Sequence, residues 1–333
     1  MKPINLPANQ PRDRFYAGGE AIALFRNDRP AAPNTPEDWV ASVTTVRGES
    51  QLGLSTLPDG TLLAERVQSE PLLWLGHEHV ASYGSDTNLL VKLLDAGQRL
   101  PVHAHPDDGF AATHLGTAHG KAEAWYILSP GVVYLGLTED IGLVEFERIV
   151  DRQDIDSLLA RMHSIRVHPG DTVFVPPGML HSIGNGILLV EVQQPEDLSI
   201  LLEWNGFAID GPQEGHLGLG FPAALASVEH TGRTATEVDA LVRRTPGPGS
   251  VLPAQSAAFF RLDEIDVADQ LFLPRGYGVV VVLNGDVTFR AAAGDVRAPA
   301  GSTVLVPASA GEVSLLGTGR ILHCRPPAPL AAP

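Results

Sequence analysis

Two short segments of the chain place histidines at a spacing that suits metal binding. In the segment GQRLPVHAH, which begins at Gly97, one residue separates His103 from His105. Because side chains alternate between the two faces of a β-strand, this spacing directs both imidazoles to the same face. One such pair is weak evidence, since the chain has 12 histidines and a second pair stands at His77 and His79. A matching motif elsewhere must distinguish between the two pairs.

A downstream segment supplies that motif for the first pair. Its residues follow the pattern G-x5-P-x-G-x2-H-x3-N at Gly170, Pro176, Gly178, His181 and Asn185. Proline and glycine favour the tight turn that would direct His181 back toward the strands. No comparable segment follows His77 and His79. We therefore predict that His103, His105 and His181 are metal ligands and that the other pair is not.

Together the two segments resemble the two sequence motifs of the cupin superfamily. The second motif fits at all five positions, and the first fits at its glycine and both histidines. In that superfamily a carboxylate normally follows the second histidine after three or four residues, and here none does. The candidate is Glu123, which comes after the insertion DDGFAATHLGTAHGKA. Three neutral imidazoles and one carboxylate suit Zn²⁺, Mn²⁺, Fe²⁺ or Ni²⁺, and ligand type alone does not choose among them.

The elements that must position these residues are mainly β-strands. The chain has 34 glycines and 27 prolines, which separate short Val/Leu/Ile/Phe runs in the way that is typical of many-stranded β proteins. Strand-like runs are NLLVKLLDA, EAWYILS, VVYLGL, HSIRVHP, DTVFVPP and GILLVEVQQ. An extended segment is expected at DWVASVTTVRG. Helices are expected in TLLAERVQSEPLLWLG, RQDIDSLLARM and EVDALVRRT, where apolar residues recur at helical spacing.

An internal repeat predicts a second barrel. The segment GDTVFVPPGMLHSIGNGILLVEVQ from Gly170 lines up with GSTVLVPASAGEVSLLGTGRILHCR from Gly301. Glu312 stands in the second copy where the first has His181, and no paired histidines precede it, so we expect no metal there. The predicted divisions are a mixed segment packed on the catalytic barrel (1–87), the metal-binding barrel (88–205), a helical crossing with the linker TPGPGSVLP (206–253) and a degenerate barrel (254–333).

Composition limits the partners. With 23 Lys and Arg against 39 Asp and Glu, the formal net charge is −16. Nucleic acids and anionic membranes require concentrated positive charge, so we expect neither and predict a small-molecule substrate. The single cysteine, Cys324, cannot form an internal disulfide, and the N-terminus shows no signal-peptide pattern, so we expect a cytoplasmic protein. The oligomeric state has no signal in the sequence.

The insertion and its surroundings resemble the type I mannose-6-phosphate isomerases, especially their compact bacterial form. The runs that carry the resemblance are LLVKLLDAGQRLPVHAHPDD, GKAEAWYIL, VHPGDTVFVPPGMLHSIGNGILLVEVQQ and DWVASV. The resemblance implies two cupin barrels, one divalent ion per chain with Zn²⁺ favoured, and aldose–ketose isomerisation through a cis-enediol. It also implies that Lys92 and Lys121 contact substrate oxygens and that Lys121 is a catalytic residue. Glu191 is the first candidate for proton transfer, and a surface glutamate is the alternative.

Three positions depart from the family pattern. Pro101 replaces a serine, His103 replaces a glutamine ligand, and Leu201 stands in place of an arginine thought to serve catalysis. The loss of a serine and an arginine removes donors for a phosphate or a developing negative charge. A phosphorylated substrate and a free sugar therefore both stay open. The same ligand set also occurs in cupin oxidases and decarboxylases, and a sugar-binding protein without turnover is a third alternative.

Overall fold

Antiparallel β-strands are the main regular elements of the computed structural model, which describes residues 1–29 and 32–330. In chain order the strands are β1 Ile4–Leu6, β2 Glu37–Val40, β3 Leu90–Asp95, β4 His103–Ala104, β5 Glu123–Ile127, β6 Gly131–Leu137, β7 Met162–Val167, β8 Thr172–Val175, β9 His181–Ile183, β10 Leu188–Gln193, β11 Ile200–Leu201, β12 Val242–Arg243, β13 Gly249–Ser250, β14 Arg261–Val267, β15 Gln270–Phe272, β16 Gly278–Ala291, β17 Gly294–Pro299, β18 Thr303–Val306 and β19 Ser314–Arg325. The predicted fold class, mainly β with two cupin barrels, is confirmed.

Short helices lie between the strands. They are α1 Glu20–Arg26, α2 Leu63–Ser69, α3 Pro71–Leu75, α4 His77–Tyr83, α5 Asp108–Phe110, α6 Leu143–Arg152, α7 Ile155–Ala160, α8 Gly211–Glu214, α9 Phe221–Ala224 and α10 Ala235–Asp239. A π-helical segment covers Ala111–Leu115, and 3-10 turns lie at Leu225–Ser227, Ala254–Ala258 and Ala308–Ala310. Within the described ranges, none of these helices has the length and apolar character that a membrane crossing requires.

Two sheets build the first barrel. The larger has the strand order β12-β8-β5-β10-β3-β2, and the smaller has the order β11-β4-β9-β6-β7. Strands β3, β5 and β10 at the centre of the larger sheet are buried along their whole length, which explains their nearly continuous apolar sequence. Polar residues within such strands must face an enclosed polar space. The fold therefore makes the few charged residues of β3, β5 and β10 candidates for the site.

The second barrel is an eight-stranded sheet that also includes the N-terminus of the chain. Strand β1 pairs with β18, so the N-terminal segment joins the second barrel as well as the first, in which β2 pairs with β3. The Tyr126 hydroxyl on β5 donates a hydrogen bond of 2.6 Å to Glu264 on β14. The domain boundaries predicted from the sequence remain an interpretation, and residues 331–333 of the last unit lie outside the described residues.

Three local predictions need correction. The helix expected in TLLAERVQSEPLLWLG is broken into α2 and α3 at Glu70, because Pro71 lacks the N–H that a continuous helix needs and instead starts the next helix. The helix expected in EVDALVRRT begins earlier, at a capping box formed by Thr234, and ends at Asp239. The extended segment at DWVASVTTVRG forms a strand only as far as Val40.

The rest of EVDALVRRT pairs as a strand. Val242 and Arg243 form β12, whose register places them opposite Val173 and Thr172 of β8. A segment assigned from the sequence to the crossing between barrels thereby extends the larger sheet of the first barrel. The capping box at Thr234 stabilises only the short helix that ends at Asp239. Beyond it, pairing with β8 outweighs the weak helical pattern of the sequence.

The insertion between His105 and Glu123 forms a closed loop. The Asp107 side chain accepts a hydrogen bond from the backbone N–H of Phe110 at 2.7 Å and caps α5. The Asp108 carboxylate accepts from the backbone N–H of Gly120 and from the side chain of Gln194, both at 2.8 Å. The two ends of the insertion are therefore tied together, and the chain returns beside the place where it left.

Candidate metal centre and substrate pocket

Three histidines form a buried cluster at the centre of the first barrel. One ring nitrogen from each of His103, His105 and His181 lies within 4.8 Å of those of the other two. His103 on β4 is directly opposite His181 on β9 in the smaller sheet, and His105 follows β4 by one residue. The structure thus brings together the three histidines that the two motifs predicted, and they are called the histidine cluster below.

Backbone carbonyls fix the orientation of every ring in the histidine cluster. The Nδ1 atoms of His103, His105 and His181 are in hydrogen-bond contact with the carbonyl oxygens of Pro101 at 2.8 Å, Leu198 at 2.5 Å and Met179 at 2.9 Å, respectively. With Nδ1–H donating in each ring, the Nε2 atom keeps its lone pair. The cluster therefore presents three Nε2 lone pairs toward a common point.

Glu123 reaches the histidine cluster from the opposite sheet. Its carboxylate oxygens lie 3.0 Å from His105 Nε2 and 3.2 Å from His181 Nε2, and Trp125 Nε1 donates a hydrogen bond of 3.1 Å to Oε1. Burial alone would raise the pKa of Glu123, but the positive charge of Lys121 together with the neighbouring His105 and His181 holds the pKa well below its usual range. Glu123 is thus ionised where the sequence predicts a fourth ligand.

The donor set fits a divalent cation. Burial lowers the pKa of His103 well below its ordinary value and that of His105 to about 3, so both rings are neutral at pH 7. His181 Nε2 is buried and makes no hydrogen bond to the described residues. A buried polar atom without a hydrogen-bond partner lowers the stability of the fold. A nitrogen lone pair that faces a carboxylate oxygen is stabilised only when a cation lies between them. Neutral imidazoles and a carboxylate are the ligands that such a cation requires.

Lys121 lies against this centre. Its Nζ is 2.7 Å from Glu123 Oε2 and 3.1 Å from His105 Nε2, and the side chain is buried. The closed insertion puts Lys121 here, because its backbone N–H donates to the carbonyl oxygen of Pro106 at 3.0 Å. The lysine predicted to contact substrate oxygens is thus in the same space as the predicted ligands.

Lys92 and Glu191 form a row across the larger sheet. Glu191 on β10 lies opposite Lys92 on β3 and Trp125 on β5, and Trp39 on β2 lies opposite Lys92. Side chains at paired positions share one face of a sheet. This row faces the interior of the barrel together with Glu123, two residues before Trp125. The surface alternative for Glu191 is wrong, since it is 2% exposed.

Lys92 is held by two carboxylates. Its Nζ lies 3.5 Å from Glu37 Oε2, 3.6 Å from Glu191 Oε1 and 4.6 Å from the centre of the Trp39 ring. Burial, followed by the negative charge of Glu123, raises the pKa of Glu191. Its Oε1 atom is buried without a hydrogen bond among the described residues. Glu191 therefore combines an elevated pKa with an unused oxygen, as a proton-transfer group requires.

These side chains line an enclosed space, the inner chamber. Its polar and charged walls are Arg14, Tyr16, Glu37, Lys92, His103, Lys121, Glu123, Glu191, Asp197 and Ser199, and its apolar walls include Leu94, Leu100, Pro101, Ile183 and Leu201. Leu201, where the resemblance expects an arginine, lies opposite His103 in the pairing of β11 with β4. The departure at this position thus borders the site directly.

A wider opening, the outer cleft, adjoins the inner chamber. Arg14, Phe15, Asp197, Ser199 and Leu201 line both spaces, so the two are continuous at these residues. Further walls of the outer cleft include Arg12, Asp13, Arg47, Glu49 and Glu214. The inner chamber therefore opens toward the surface through the outer cleft.

Sequence reasoning missed Arg14, Tyr16, Glu37 and Asp197. Glu37 accepts hydrogen bonds from the Tyr16 hydroxyl at 2.5 Å and from Trp39 Nε1 at 2.6 Å. The strand EDWV around Glu37 is buried at every position, which leaves no alternation to reveal the inward residues. A charged residue inside a wholly buried strand was the available signal for Glu37. Arg14 lies outside the named elements, and no local pattern marks it.

The other predicted or excluded residues lie apart from the inner chamber. His77 and His79 are on helix α4, where a spacing of two sends side chains to different sides, and His79 Nε2 contacts the carbonyl oxygen of Asp86 at 2.6 Å. Glu312 of the second barrel is largely exposed and lies 3.5 Å from Arg275. Both observations agree with the reasoning that left these residues out of the ligand set.

Comparison with known proteins identifies relatives along nearly the whole chain. The chain is 26% identical over 329 residues to a Bacillus subtilis protein named as a probable mannose-6-phosphate isomerase, covering 95% of this chain and 96% of that one. It is 33% identical over 199 residues to the mannose-6-phosphate isomerase ManA of the same organism, covering 57% and 58%. No protein-family model matches the chain.

Solved structures show the same fold. The mannose 6-phosphate isomerase of Bacillus subtilis superposes with a TM-score of 0.75 at 20% identity, covering 98% of this chain and all of that one. A point variant of phosphomannose isomerase from Salmonella typhimurium gives a TM-score of 0.74 at 14% identity, covering 98% and all, respectively. The resemblance inferred from the motifs is confirmed, and it extends through both barrels.

Proposed function

We propose that this homologue of the mannose-6-phosphate isomerases is a metal-dependent aldose–ketose isomerase of the mannose 6-phosphate to fructose 6-phosphate type. The observation that carries the proposal is the meeting of the histidine cluster, Glu123 and Glu191 within the inner chamber. Isomerisation requires one group to stabilise charge on the sugar oxygens and another to carry a proton between two carbons. Both requirements are met by side chains in a single enclosed space.

The proposed ligands are His103, His105, His181 and Glu123, with one divalent ion per chain. Zn²⁺ is favoured by the resemblance, and Mn²⁺, Fe²⁺ or Ni²⁺ share the same donor preferences. When bound, the ion would supply Lewis acidity toward the carbonyl and hydroxyl oxygens of the sugar. The carbonyl contacts at the Nδ1 atoms would keep the rings in their binding orientation.

Glu191 is the proposed proton carrier. In the forward direction its carboxylate accepts the proton from C2 of the aldose, giving a cis-enediol, and then returns a proton to C1 of the ketose, while a proton moves between the two oxygens. No net oxidant is needed, because C1 is reduced as C2 is oxidised. The raised pKa of Glu191 brings the carboxyl closer to the range in which it can both accept and donate.

Lys121 and Lys92 serve different purposes in this arrangement. Lys121 Nζ, beside Glu123, is placed to donate to sugar oxygens near the histidine cluster. Lys92 lies between Glu37 and Glu191 and keeps the Glu191 carboxylate in place. Lys121 is therefore proposed to contact substrate. Lys92, proposed from the resemblance as a substrate contact, is assigned here a positioning function.

An aldose panel with metal analysis tests the proposal. Purified protein should contain one equivalent of divalent metal and interconvert mannose 6-phosphate with fructose 6-phosphate. Glu191→Gln should lower kcat by on the order of 10²-fold or more while leaving metal content unchanged, since the amide cannot accept the C2 proton. Oxidase or decarboxylase activity without any aldose isomerisation would contradict the proposal and favour the alternative chemistry that this ligand set also supports.

The proposed setting is the cytoplasm. Cys324, the single cysteine, lies on β19 as a buried free thiol, which suits a compartment that keeps thiols reduced. Fractionation of cells that express the full chain, followed by immunodetection, tests this assignment.

A further inference from the structure

We propose that Arg14 is the residue that binds the phosphate group of the substrate. The inference rests on the proposed isomerase function and names a residue that would determine its specificity for a phosphorylated sugar. It assigns a function to an N-terminal residue far in sequence from the two metal-binding motifs. It also accounts for Leu201, which removes an arginine that the resemblance expects at the wall of the inner chamber.

Arg14 lies where the inner chamber opens into the outer cleft. Arg14 and Leu201 line both spaces. The N-terminal segment thus supplies a guanidinium at the place where β11 supplies only the aliphatic side chain of Leu201. The arginine side chain is 11% exposed. The Arg14 guanidinium carbon lies 5.9 Å from the ring centres of both Phe15 and Trp39. Such contacts favour a defined orientation for a planar cation.

The guanidinium of Arg14 keeps donors free for a ligand. Its Nη2 lies 3.4 Å from Asp197 Oδ1 and 3.6 Å from Glu37 Oε1, which are long for charge-assisted hydrogen bonds. Its Nε is buried and has no hydrogen-bond partner within residues 1–29 and 32–330. A guanidinium carries five N–H donors, and a buried one without a partner is costly. An anion between the chamber and the cleft would use the donors that the two carboxylates leave.

The two lysines of the inner chamber are already paired. Lys92 lies between Glu37 and Glu191, and Lys121 Nζ is 2.7 Å from Glu123. Glu37 accepts hydrogen bonds from Tyr16 and Trp39 in addition to its contact with Arg14. Asp197 also accepts from the backbone N–H of Arg47 at 3.1 Å. Both carboxylate neighbours of Arg14 therefore keep other hydrogen-bond donors when the guanidinium binds a ligand.

The charges of the inner chamber require such a cation. Arg14, Lys92 and Lys121 oppose Glu37, Glu123, Glu191 and Asp197, three positive groups against four negative ones. Without Arg14 the count would be two against four, and a divalent ion at the histidine cluster would only bring the chamber to neutrality, which leaves no positive charge to balance a phosphate dianion. A neutral sugar would not need this compensation. The presence of the largely buried Arg14 at the chamber mouth therefore favours an anionic substrate over a neutral one.

The position of Arg14 also indicates which end of the substrate it binds. Lys121 and Glu191 adjoin the proposed metal ligands and serve the reacting carbons. Arg14 lies at the other end, on the border with the outer cleft, which Arg12 and Arg47 also line. A phosphate at the far end of a hexose chain would meet Arg14 while C1 and C2 remain beside Glu191. A guanidinium suits this contact because it binds phosphate through two parallel hydrogen bonds.

Binding of a sugar analogue that cannot isomerise provides the direct test. Isothermal titration of the metal-loaded protein with mannitol 6-phosphate and with mannitol compares charged and neutral ligands without turnover. Arg14→Leu should weaken mannitol 6-phosphate binding by on the order of 10²-fold and leave mannitol binding within about twofold. Arg14→Lys should lie between wild type and Arg14→Leu, since it keeps the charge and loses the bidentate geometry. Arg290→Leu, an exposed arginine of the second barrel, is the matched control and should change neither.

A compensating variant shows whether the guanidinium itself is what matters. The double variant Arg14→Leu with Leu201→Arg should regain at least tenfold in kcat/KM for mannose 6-phosphate over Arg14→Leu alone, because both positions face the same space. Thermal unfolding of each variant checks that it is folded. Should Arg14→Leu not fold, Arg14→Lys and Arg14→Gln are compared with each other in the same titrations.

The outcomes separate this inference from the proposed function. Equal losses for mannitol and mannitol 6-phosphate, or no loss for either, would overturn the assignment of Arg14 while wild-type isomerisation kept the function. Wild-type protein that isomerises free mannose as efficiently as mannose 6-phosphate would also overturn it. An inactive wild type that still binds mannitol 6-phosphate through Arg14 would refute isomerisation and support the anion site.

Discussion

Each ring of the histidine cluster is oriented by a backbone carbonyl, so its lone pair is fixed by the fold. The contacts from Nδ1 to Pro101, Leu198 and Met179 leave Nε2 as the only possible ligand atom. Pro101, which stands where the mannose-6-phosphate isomerases that the chain resembles have a serine, thus contributes its carbonyl oxygen to the orientation of His103. The same departure that removes a hydroxyl donor leaves the backbone acceptor in place.

Removal of either motif histidine should abolish metal binding. We expect His105→Ala and His181→Ala to lose the ion together with all isomerase activity, because each removes an Nε2 from a site with three imidazoles. His77→Ala on α4 is the matched control and should retain full metal content. Inductively coupled plasma mass spectrometry of the purified variants measures the outcome. Full metal content in both cluster variants would refute the assigned ligands.

At the scale of elements, the insertion between His105 and Glu123 decides whether the site is complete. It replaces a connection of a few residues by a closed loop that contains α5 and the π-helical segment. Asp108 ties the end of the loop to Gln194, which follows β10. The loop thereby places Lys121 and Glu123 against the cluster despite their distance in sequence.

Gly120 permits the close approach at the end of this loop. A Cβ at Gly120 would lie 2.3 Å from the carbonyl oxygen of Pro106, which is backbone and cannot move freely. We expect Gly120→Ala to lower the free energy of unfolding by about 1–3 kcal/mol and to weaken metal binding through displacement of Glu123. Gly109→Ala, where the nearest atom is a side-chain oxygen at 3.4 Å, is the control. Guanidinium denaturation and zinc titration measure both effects, and equal behaviour of the two variants would contradict the explanation.

An ion pair fastens the same loop to the segment before β3. His119 Nε2 lies 2.7 Å from Asp86 Oδ2, with Asp108 and Glu196 also near the ring. The hydrogen bond to Asp86 raises the pKa of His119. Burial alone would raise the pKa of Asp86, but the hydrogen bond from His119 contributes to a net lowering of that pKa. The contribution of His119 is therefore complete below its unfolded pKa and is lost as pH rises through its raised folded pKa. That of Asp86 is lost as pH falls through its lowered folded pKa.

The pH dependence of stability follows from these two shifts. We expect His119→Gln to destabilise the protein at about pH 5.5, between the unfolded values of roughly 4 and 6.5, and to have a smaller effect at about pH 8.5. The loss of unfolding free energy in His119→Gln should differ between the two pH values by less than about 1 kcal/mol, because Asp86 is partly exposed to solvent. Urea unfolding of His119→Gln, Asp86→Asn and the double variant at both pH values measures the coupling. A coupling energy between His119 and Asp86 that is larger at about pH 8.5 than at about pH 5.5 would contradict the assigned ion pair.

At the scale of the whole molecule, two barrels of the same kind carry different interiors. The interior of the first contains the inner chamber with its charged walls. The second has an interior of mainly aliphatic and aromatic side chains, among them Val280, Val304 and Phe289, with one buried histidine, His323, opposite Val280. Glu312 lies at its surface. The second barrel packs against the first through a shared apolar cluster that includes Phe174 and Val279, and Tyr126 also donates a hydrogen bond to Glu264.

This difference predicts the metal stoichiometry. We expect one divalent ion per chain, since the described residues of the second barrel offer a single buried histidine, His323, whereas the first barrel brings three Nε2 atoms together. The double variant His105→Ala with His181→Ala should bind none. Native mass spectrometry counts the ions directly, and a second equivalent that persists in the double variant would show that residues 254–326 bind metal.

Several features of this protein were determined by the sequence alone. The alternation of side chains along a strand put His103 and His105 on one face, and the G-x5-P-x-G-x2-H-x3-N pattern directed His181 toward them. The repeat at Gly170 and Gly301 predicted two barrels, and both are present. These features depend on spacings of a few residues or on similarity between segments, and both can be read without knowing which segments meet.

Other features were decided only by the tertiary structure. Glu123 reaches the cluster because the insertion closes on itself, and a loop's closure depends on contacts such as that between Asp108 and Gln194, which are 86 residues apart. Arg14 reaches the chamber from the N-terminal segment, which no periodicity marks. EVDALVRRT ends as strand β12 because an edge of the larger sheet was available for pairing. Contacts between distant segments follow from sheet order and register, which local spacing does not determine.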